Sequence, residues 1–396
     1  MKSYMKRSVL AILAIMIAAC APRADFSQID AVVEEAIGEG NVPGAVVAIV
    51  HEGKTVFLKA YGNKSVVPEE VPMTTETMFD LASVSKCVGT TTAVMQLVER
   101  GKLRLSDEVR RYIPEFRPWT DPDTGEEVHI TIQDLMSHTS GLSAAINVNS
   151  FVGRFGEACP DTLIRYIATE IPRHFRPKTG HIYSCINFIT LQNVVQRITG
   201  EPLWQYVEDN VFAPLGMRHS CYFPLGEDLR TPVAHQELVP LVAPTTVQAD
   251  GAPLVAAVHD PTARRINMGN SGNAGVFSNA EDLAVFCNSL MGYGPRVLSP
   301  ASVRRMATIP PENDPSVGRA LGWDKKSYAT GLRGDLFDPE TTIMHTGYTG
   351  TSVVIDLSSK TAVIVLAHRV HPVDDGSVAR MRACIANIAA AQLLKN

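Results

Sequence analysis

Two short apolar segments stand near the amino end of the chain. Residues 44–50 and 55–61 are rich in Val, Ala and other apolar residues, and residues 51–54 between them contain a glycine. Apolar runs of this length, separated by a Gly-containing turn, indicate β-strands. The pattern therefore predicts a hairpin over residues 44–61.

The same strand signal returns near the carboxyl end. Residues 352–356 and 362–366 are again short and apolar, and the polar segment 357–360 between them predicts a turn. Residues 378–394 predict a final helix.

Helical spacing dominates the middle of the chain. A helix is predicted from near Ser83 to about Arg100, followed by Gly101 in the position that often ends helices. Between 188 and 198 the apolar residues lie mostly three and four apart, and Gly200 follows. This spacing predicts a second helix with one buried face.

Strands at both ends and helices between them predict one α/β (α+β) domain with two lobes. The sheet lobe is expected at about 26–82 and 270–396, and a mainly helical lobe is inserted between them at about 83–269.

Composition narrows the class of protein. Hydrophobic residues make up 45% and charged residues 19% of the 396 positions, as in an ordinary globular protein with a sizeable core. Lys and Arg total 36 against 41 Asp and Glu, without a run of either sign. Nucleic-acid binding usually needs a basic patch or stripe, so that function is not expected.

The first twenty residues predict export. Lys2, Lys6 and Arg7 precede an apolar stretch at 9–19, which is too short to span a bilayer but matches a signal peptide. The segment ends in Ile-Ala-Ala-Cys20, which resembles a bacterial lipobox. We therefore expect a lipoprotein of the bacterial cell envelope, anchored to a membrane through Cys20. The alternative is a plain secretory signal in which Cys20 is incidental.

Six further cysteines are scattered through the chain without a CxxC pair or Cys/His ligand spacing. No metal site and no cofactor are predicted. Their spacing does not say whether any pair forms a disulfide.

Ser83-Val-Ser-Lys86 has the form S-x-x-K. Residues i and i+3 of a helix share one face, so the hydroxyl and the amine can meet. A serine needs an adjacent base to become a nucleophile, and a lysine whose pKa is lowered by burial can serve. The free amides at a helix start can also bind a developing oxyanion. The plain alternative is a capping serine followed by a surface lysine.

The surroundings of this pair resemble a known family. Residues 78–101, with Ser83 and Lys86, are similar to the nucleophile helix of serine beta-lactamases and penicillin-binding proteins. Segments 130–142 and 275–283 match further family signatures in the same order. The resembling branch includes class C beta-lactamases, D,D-carboxypeptidases, D-aminopeptidases and related carboxylesterases. It implies a beta-lactamase/transpeptidase-like fold, with an antiparallel sheet flanked by helices.

The resemblance implies a second catalytic element at Tyr183-Ser-Cys185. Tyr183 stands where the family's tyrosine relays protons between the nucleophile, the lysine and the leaving group. Cys185 stands where the family usually has an asparagine that binds the substrate's amide. A thiol is a weak donor and acceptor, so amide and lactam recognition is expected to suffer.

The third implied element is His345-Thr346-Gly347, which resembles the family's Lys-Thr-Gly strand. The amide of Tyr348 is expected to complete an oxyanion hole with that of Ser83. A histidine is less surely cationic than a lysine, so a substrate carboxylate would be held less firmly at neutral pH.

His138 and Ser140 offer another Ser-His arrangement, but the resemblance assigns them to a structural loop. The favoured function is a serine hydrolase of small ester, peptide or lactam substrates, with carboxylesterase first. A D,D-carboxypeptidase or D-aminopeptidase comes second and a beta-lactamase third. A non-catalytic envelope binding protein is the alternative of another class.

Overall fold

The computed structural model describes residues 24–394. The strands, in chain order, are β1 (Gly44–His51), β2 (Lys54–Ser65), β3 (Val71–Pro72), β4 (Phe79–Asp80), β5 (Trp119–Thr120), β6 (Glu127–Val128), β7 (Cys221–Tyr222), β8 (Val276–Ser278), β9 (Thr342–Thr346), β10 (Ser352–Asp356) and β11 (Thr361–Ala367). The α-helices are α1 (Gln28–Gly38), α2 (Thr92–Glu99), α3 (Ile132–Met136), α4 (Val148–Phe155), α5 (Pro160–Thr169), α6 (Cys185–Thr199), α7 (Leu203–Val207), α8 (Ala213–Leu215), α9 (Pro261–Arg265), α10 (Ala280–Met291), α11 (Pro300–Met306) and α12 (Ala379–Leu393).

The main sheet joins the two ends of the chain. Its six strands run in the order β3-β2-β1-β11-β10-β9, and every neighbouring pair is antiparallel. Both predicted hairpins are confirmed, and β1 pairs with β11 along its length from Ala45 to His51. The predicted antiparallel sheet, assembled from distant parts of the sequence, is thus observed.

Helices cover both faces of this sheet. Alternate residues of β1 point to opposite faces, so Ala45, Val47 and Ile49 share a core with α1 and α12. Val46, Ala48 and Val50 belong to the other core, which α10 and the helices of the middle region also form. Burial on both faces explains why β1 reads as a continuous apolar run rather than an alternating one.

The predicted helix after Ser83 is present but irregular. A 3₁₀ turn at Ala82–Val84 is followed by a π-helical segment at Lys86–Thr91, and regular α-helix begins only with α2. The helix ends as predicted, with Gly101 at φ +65°. Wide turns of this kind often occur at functional sites, and here the π-helical segment begins with Lys86, three residues after the candidate nucleophile Ser83.

Candidate active site

Ser83 sits at a strained point of the chain. The preceding Ala82 has φ +46°, a left-handed conformation that non-glycine residues adopt only when their surroundings hold them there. Asp80 stabilises this conformation, because its Oδ1 accepts a hydrogen bond from the amide of Ala82 at 2.8 Å and its Oδ2 accepts one from the amide of His259 at 2.7 Å. Burial raises the pKa of Asp80 to about 6 in spite of these bonds. The turn before the serine is therefore fixed by one buried carboxyl group.

Lys86 lies one turn further on and is completely buried. Its Nζ donates to Ser83 Oγ at 3.0 Å, to the carbonyl of Asn273 at 2.8 Å and to Cys185 Sγ at 3.6 Å. An ammonium group has three N–H donors, and these three acceptors use all of them. The S-x-x-K spacing thus brings the amine into hydrogen-bonding contact with the hydroxyl.

The protonation of Lys86 differs from the expectation. Burial alone disfavours the charged amine, but the ionisable Cys185 and Tyr183 beside it favour the ammonium, and the net effect raises the pKa of Lys86. This direction is opposite to the lowered pKa that a base-like lysine needs. Lys86 is a cation that donates hydrogen bonds.

Tyr183 packs against this cation. The Lys86 Nζ lies 5.1 Å from the centre of its ring, and Arg319 Cζ lies 5.1 Å from the same centre. Burial raises the pKa of Tyr183, while Lys86, Ser83 and Arg319 act in the opposite direction. Its hydroxyl is buried beside Ser83 and Lys86, where it can exchange a proton with the nucleophile.

Cys185 is the first residue of α6, which begins at the N-cap Ser184. Its thiol faces the Lys86 amine, the place expected from the resemblance. Asn187 does not replace the missing asparagine, because it is fully buried and accepts a hydrogen bond from Ser140 Oγ at 2.7 Å.

His138 and Ser140 have structural roles. His138 Nδ1 accepts the amide of Ser184 at 3.0 Å and so anchors the start of α6. Burial holds the pKa of His138 well below its usual range, so the ring is neutral. Ser140 Oγ bonds Asn187 and the amide of Leu142.

His345 lies near the end of β9 and lines the same cavity as Tyr183. Its Nδ1 donates to the carbonyl of Thr346 at 2.9 Å, which places the single proton of the neutral ring on that nitrogen. Burial and the nearby cations Arg319 and Lys86 keep the pKa of His345 well below its usual range. His345 is therefore neutral and cannot replace the positive charge of a lysine.

The loop after β9 is tied to the chain just before the nucleophile. The hydroxyl of Thr349 donates to the carbonyl of Asp80 at 2.7 Å, and that of Thr351 donates to the carbonyl of Leu81 at 2.9 Å. A Cβ on Gly347 would lie 2.4 Å from the Leu81 carbonyl oxygen, so only glycine fits. These contacts set Tyr348 beside the Ser83 turn.

Arginines hold the carbonyls of the same loop. Arg382 on α12 donates from Nη2 to the carbonyls of Gly347 at 3.0 Å and Thr351 at 2.7 Å. Arg369 donates from Nε to the carbonyl of Tyr348 at 2.8 Å. The peptide bond between Gly347 and Tyr348 therefore accepts a hydrogen bond from Arg382 at its carbonyl. The N–H of the same peptide, on Tyr348, is the group that would bind an oxyanion.

Two cavities meet at Ser83. The first has a volume of about 290 Å³. It is lined by Ser83, Tyr183, Arg319, Asp324, Met344, His345, Thr346, Gly347, Tyr348, Arg369 and Arg382. The second has a volume of about 270 Å³ and is lined by Ala82, Ser83, His259, Asp260, Pro261, Ala274, Tyr348 and Asp374. A substrate can therefore lie across the serine with one part on each side.

Comparison with known proteins identifies the family. The family model described as "Beta-lactamase" matches residues 29–387. This protein belongs to the beta-lactamase family. Among its relatives, the N-acetylmuramyl-L-alanine amidase of Bacillus subtilis strain 168 is 30% identical over 88% of this chain and 82% of its own. A protein of Escherichia coli K12 that carries the name "Putative D-alanyl-D-alanine carboxypeptidase" is also 30% identical, over 88% of this chain and 84% of its own.

Solved structures share the fold at lower identity. EstCE1, a hydrolase with promiscuous acyltransferase activity, superposes with a TM-score of 0.70 at 23% identity and covers 91% of this chain and 97% of its own. The octameric penicillin-binding protein homologue from Pyrococcus abyssi superposes with a TM-score of 0.67 at 20% identity and covers 93% of this chain and 79% of its own. These similarities confirm the beta-lactamase/transpeptidase-like fold.

The beta-lactamase-family resemblance located the central residues of the cavity but missed its arginines. Ser83, Lys86, Tyr183, Cys185 and the segment 345–348 all meet in one place. Arg319, Arg382 and the two threonine hydroxyls were not foreseen, because their contacts reach backbone carbonyls or the carboxylate of Asp324 and leave no spacing pattern.

Other sequence expectations stand apart from the cavity. The signal segment and Cys20 lie outside the described residues. Within 24–394 no helix is long and apolar enough to cross a bilayer, and no group of metal-ligating side chains occurs. The described cysteines carry free thiols, so the open question of a disulfide is answered for that part of the chain.

Proposed function

We propose that this member of the beta-lactamase family is a serine hydrolase that cleaves amide bonds of cell-wall peptides through an acyl-enzyme on Ser83. The observation that carries the proposal is the 3.0 Å hydrogen bond from Lys86 to Ser83, at the edge of a cavity that Tyr183 also lines. A serine hydroxyl, a cation and a phenol in one cavity are the parts that acyl transfer needs.

Acylation starts when Ser83 Oγ attacks the substrate carbonyl and passes its proton to the phenolate form of Tyr183. The Lys86 ammonium favours this phenolate through its charge. The new Oγ–C bond converts the carbonyl oxygen into an oxyanion, which the amides of Ser83 and Tyr348 bind. Tyr183 then gives its proton to the leaving nitrogen, and the C–N bond breaks.

Deacylation repeats these steps with water as the nucleophile. Water loses a proton to the Tyr183 phenolate as its oxygen attacks the acyl carbon, and the proton returns to Ser83 Oγ as the ester bond breaks. The same phenol and ammonium thus serve both halves of the reaction.

The curated relatives favour an amide substrate. Two proteins that match 88% of this chain carry the names "N-acetylmuramyl-L-alanine amidase" and "Putative D-alanyl-D-alanine carboxypeptidase", and both names denote activities on amide bonds. This moves the preference from the carboxylesterase favoured by the sequence pattern to a cell-wall peptide.

An esterase remains the second candidate because of one residue. Cys185 occupies the position next to Lys86 where the family's asparagine would bind an amide. A site without that donor and acceptor suits an ester, whose carbonyl is intrinsically more reactive.

Active-site labelling tests the proposal. A fluorophosphonate probe should label the wild-type protein and should not label Ser83→Ala, while Ser140→Ala, a buried serine outside the cavity, should still be labelled. Labelling of Ser83→Ala, or of neither protein, would reject the assignment and favour a binding protein.

Turnover assays rank the substrates. We expect hydrolysis of a muramyl-peptide or acyl-D-Ala-D-Ala substrate to exceed that of nitrocefin by at least tenfold in kcat/KM. Activity on p-nitrophenyl acetate alone would support the esterase, and dominant nitrocefin turnover would support a beta-lactamase.

We also infer that the protein is exported and anchored to a membrane of the bacterial cell envelope through a lipid on Cys20. The basic start, the apolar stretch at 9–19 and the Ile-Ala-Ala-Cys20 ending support this inference. Radiolabelled palmitate should enter the wild-type protein but not Cys20→Ser. Equal labelling of both, or of neither, would contradict the anchor.

A further inference from the structure

A third cavity lies away from the nucleophile. Its volume is about 560 Å³, about twice that of either cavity beside Ser83. It is formed by the end of α10, the segment that leads into α11, and the turn between β10 and β11. None of its lining residues lines either cavity at the nucleophile, so its ligand would be a different molecule from the substrate.

The walls of this third cavity are largely apolar. Leu290, Met291, Leu298 and Val303 line it, and all four are buried members of the core that α10 shares with the sheet. The half-buried Leu357 adds a further aliphatic side chain from the β10–β11 turn. Hydrocarbon entering the cavity would therefore pack against the existing core and leave water.

Three cations stand in the same lining. They are Arg296, Arg304 and Lys360, and no carboxylate lines the cavity within residues 24–394. Arg296 Nη2 donates to the Gly292 carbonyl at 2.8 Å, but in this part of the chain none of the three cations forms an ion pair. An excess of one sign of charge beside apolar walls attracts a ligand of the opposite sign.

One buried hydroxyl of the lining also lacks a partner. Ser289 is 3% exposed, and its Oγ makes no hydrogen bond to any described residue. Buried polar side chains are normally hydrogen-bonded, so an unused hydroxyl in a cavity wall indicates a ligand that supplies an acceptor. The cavity thus offers hydrocarbon contact, positive charge and one hydroxyl donor.

This cavity lies at the end of the main sheet opposite the nucleophile. At one end of β10, Ser352 pairs with Thr346, where β9 leads into the loop beside Ser83. At the other end, Asp356 precedes the turn that contributes to the cavity. A strand advances about 3.3 Å per residue, so the two ends of β10 are about 13 Å apart.

The amino-terminal segment approaches the same end of the sheet. The Phe26 ring lies 5.6 Å from that of Phe57, which is the fourth residue of β2. The first residue of β2 pairs with His51, and His51 pairs with Thr361, directly after the 357–360 turn. The first described residues therefore lie at the end of the sheet that carries the third cavity.

We propose that the third cavity binds an anionic phospholipid, so that the end of the sheet opposite Ser83 faces the membrane. The phosphate would be attracted by the three cations, and the first carbons of the acyl chains would enter the apolar part. The inference does not depend on hydrolase activity. A lipid on Cys20 supports the choice of ligand, because the four residues from Cys20 to Ala24 can span at most about 14 Å. The bilayer would then lie close to this end, with Ser83 opening away from it.

Binding of short-chain lipids tests the proposal without a bilayer. The full chain is used as Cys20→Ser, which carries no acyl anchor. Dihexanoylphosphatidylglycerol and dihexanoylphosphatidylcholine are titrated by calorimetry, below the concentrations at which they form micelles. The two lipids share their chains and differ in net charge. We expect the dissociation constant for phosphatidylglycerol to be at least tenfold lower than that for phosphatidylcholine.

Charge-reversal variants locate the binding. Arg296→Glu and Arg304→Glu change exposed side chains and should reduce the preference to less than twofold, without a change in melting temperature. Ser289→Ala should weaken phosphatidylglycerol binding by about threefold. Arg380→Glu is the matched control, because this arginine is exposed on α12 and does not line the cavity, and it should keep the full preference.

The outcomes separate lipid binding from other readings. Equal affinity for the two lipids overturns the proposal, and so does a preference that survives in both Arg296→Glu and Arg304→Glu. Inorganic phosphate that binds as tightly as phosphatidylglycerol would show a plain anion site and also overturn it. All variants should still be labelled by the fluorophosphonate. A lipid preference without any labelling would support the cavity's role and reject only the hydrolase function.

Discussion

At the residue scale, the protonation of Lys86 controls what the other groups can do. A buried amine that stays charged cannot take the serine's proton, but it can lower the cost of ionising the phenol beside it. The pKa values of Lys86 and Tyr183 are both raised, so at neutral pH the pair holds an ammonium and a neutral phenol. The reactive form of the pair, an ammonium beside a phenolate, has one proton fewer than this neutral-pH form.

The raised pKa values of Lys86 and Tyr183 predict that activity increases with pH. The reactive form becomes more abundant as pH increases, so kcat/KM should grow at least tenfold between pH 6 and pH 9. His345 and His138 have pKa values far below their usual range and should add no inflection near pH 6.5. A pH–rate profile measures both effects. Tyr183→Phe should lose most activity at every pH, and a wild-type profile that falls above pH 7 would contradict the scheme.

Cys185 is the second residue with a distinct expected effect. Replacing its thiol by the amide of asparagine adds a donor and an acceptor next to Lys86. We predict that Cys185→Asn increases kcat/KM for amide or lactam substrates by about tenfold and leaves simple esters unchanged. Cys185→Ser is the matched control of similar size. Unchanged amide turnover in the Asn variant would show that the thiol does not limit amide recognition.

At the element scale, α12 contributes directly to the site. Arg382 reaches from this helix to the carbonyl of Gly347, and a cation on a peptide carbonyl strengthens the N–H at the other end of the peptide. That N–H belongs to Tyr348 and would bind the oxyanion, which exists only during the reaction. A helix at the end of the chain thereby affects the chemistry at Ser83.

Arg382→Met should therefore lower kcat more than it changes KM. Removing one oxyanion donor outright costs about 10²–10³ in kcat, so weakening a donor should cost about tenfold to a hundredfold. Arg382→Lys should recover part of the loss. Steady-state kinetics should show Arg380→Met, an exposed change on the same helix, to be neutral. A variant whose KM alone rises would assign Arg382 to ground-state binding.

Elements were easier to predict from the sequence than their interactions. β1, β2, β10, β11 and α6 have regular apolar spacing that depends only on neighbours in the chain. The π-helical segment at Lys86–Thr91 was not predicted, because it lies in tight tertiary packing: a Cβ on Gly89 would lie 2.5 Å from the Tyr222 hydroxyl. Tertiary contacts of this kind leave no periodic signal.

The candidate site shows the same division. Ser83, Lys86, Tyr183 and His345 were found because their types and order resemble a family pattern. Arg319 was missed because its partner, Asp324, and its stacking partner, Tyr183, are known only once the chain is folded.

At the scale of the whole molecule, both ends of the chain build one sheet. α12 buries Met381, Ile385 and three alanines against β11 and α1. Burying one large apolar side chain stabilises a protein by about 1.5–3 kcal/mol, whereas the free energy of unfolding of a whole protein is only about 5–15 kcal/mol.

Deletion of residues 379–396 should therefore abolish the cooperative fold. Near-UV circular dichroism should lose its signal, and binding of a hydrophobic dye should rise. Deletion of 395–396 alone is the control and should leave the melting temperature within about 2 °C. A truncated chain that melts cooperatively would show that α12 is dispensable for folding.

The ties between Thr349 and Asp80, and between Thr351 and Leu81, have a consequence for synthesis. Thr349 and Asp80 are 269 positions apart, so the serine turn leaves the ribosome long before the loop that completes its anion hole. Until the last strands are made and docked, the growing polypeptide has a hydroxyl and an ammonium but no second amide to stabilise a tetrahedral adduct. Because of this order of synthesis, the nascent chain should lack hydrolytic activity until its final segment has folded into place.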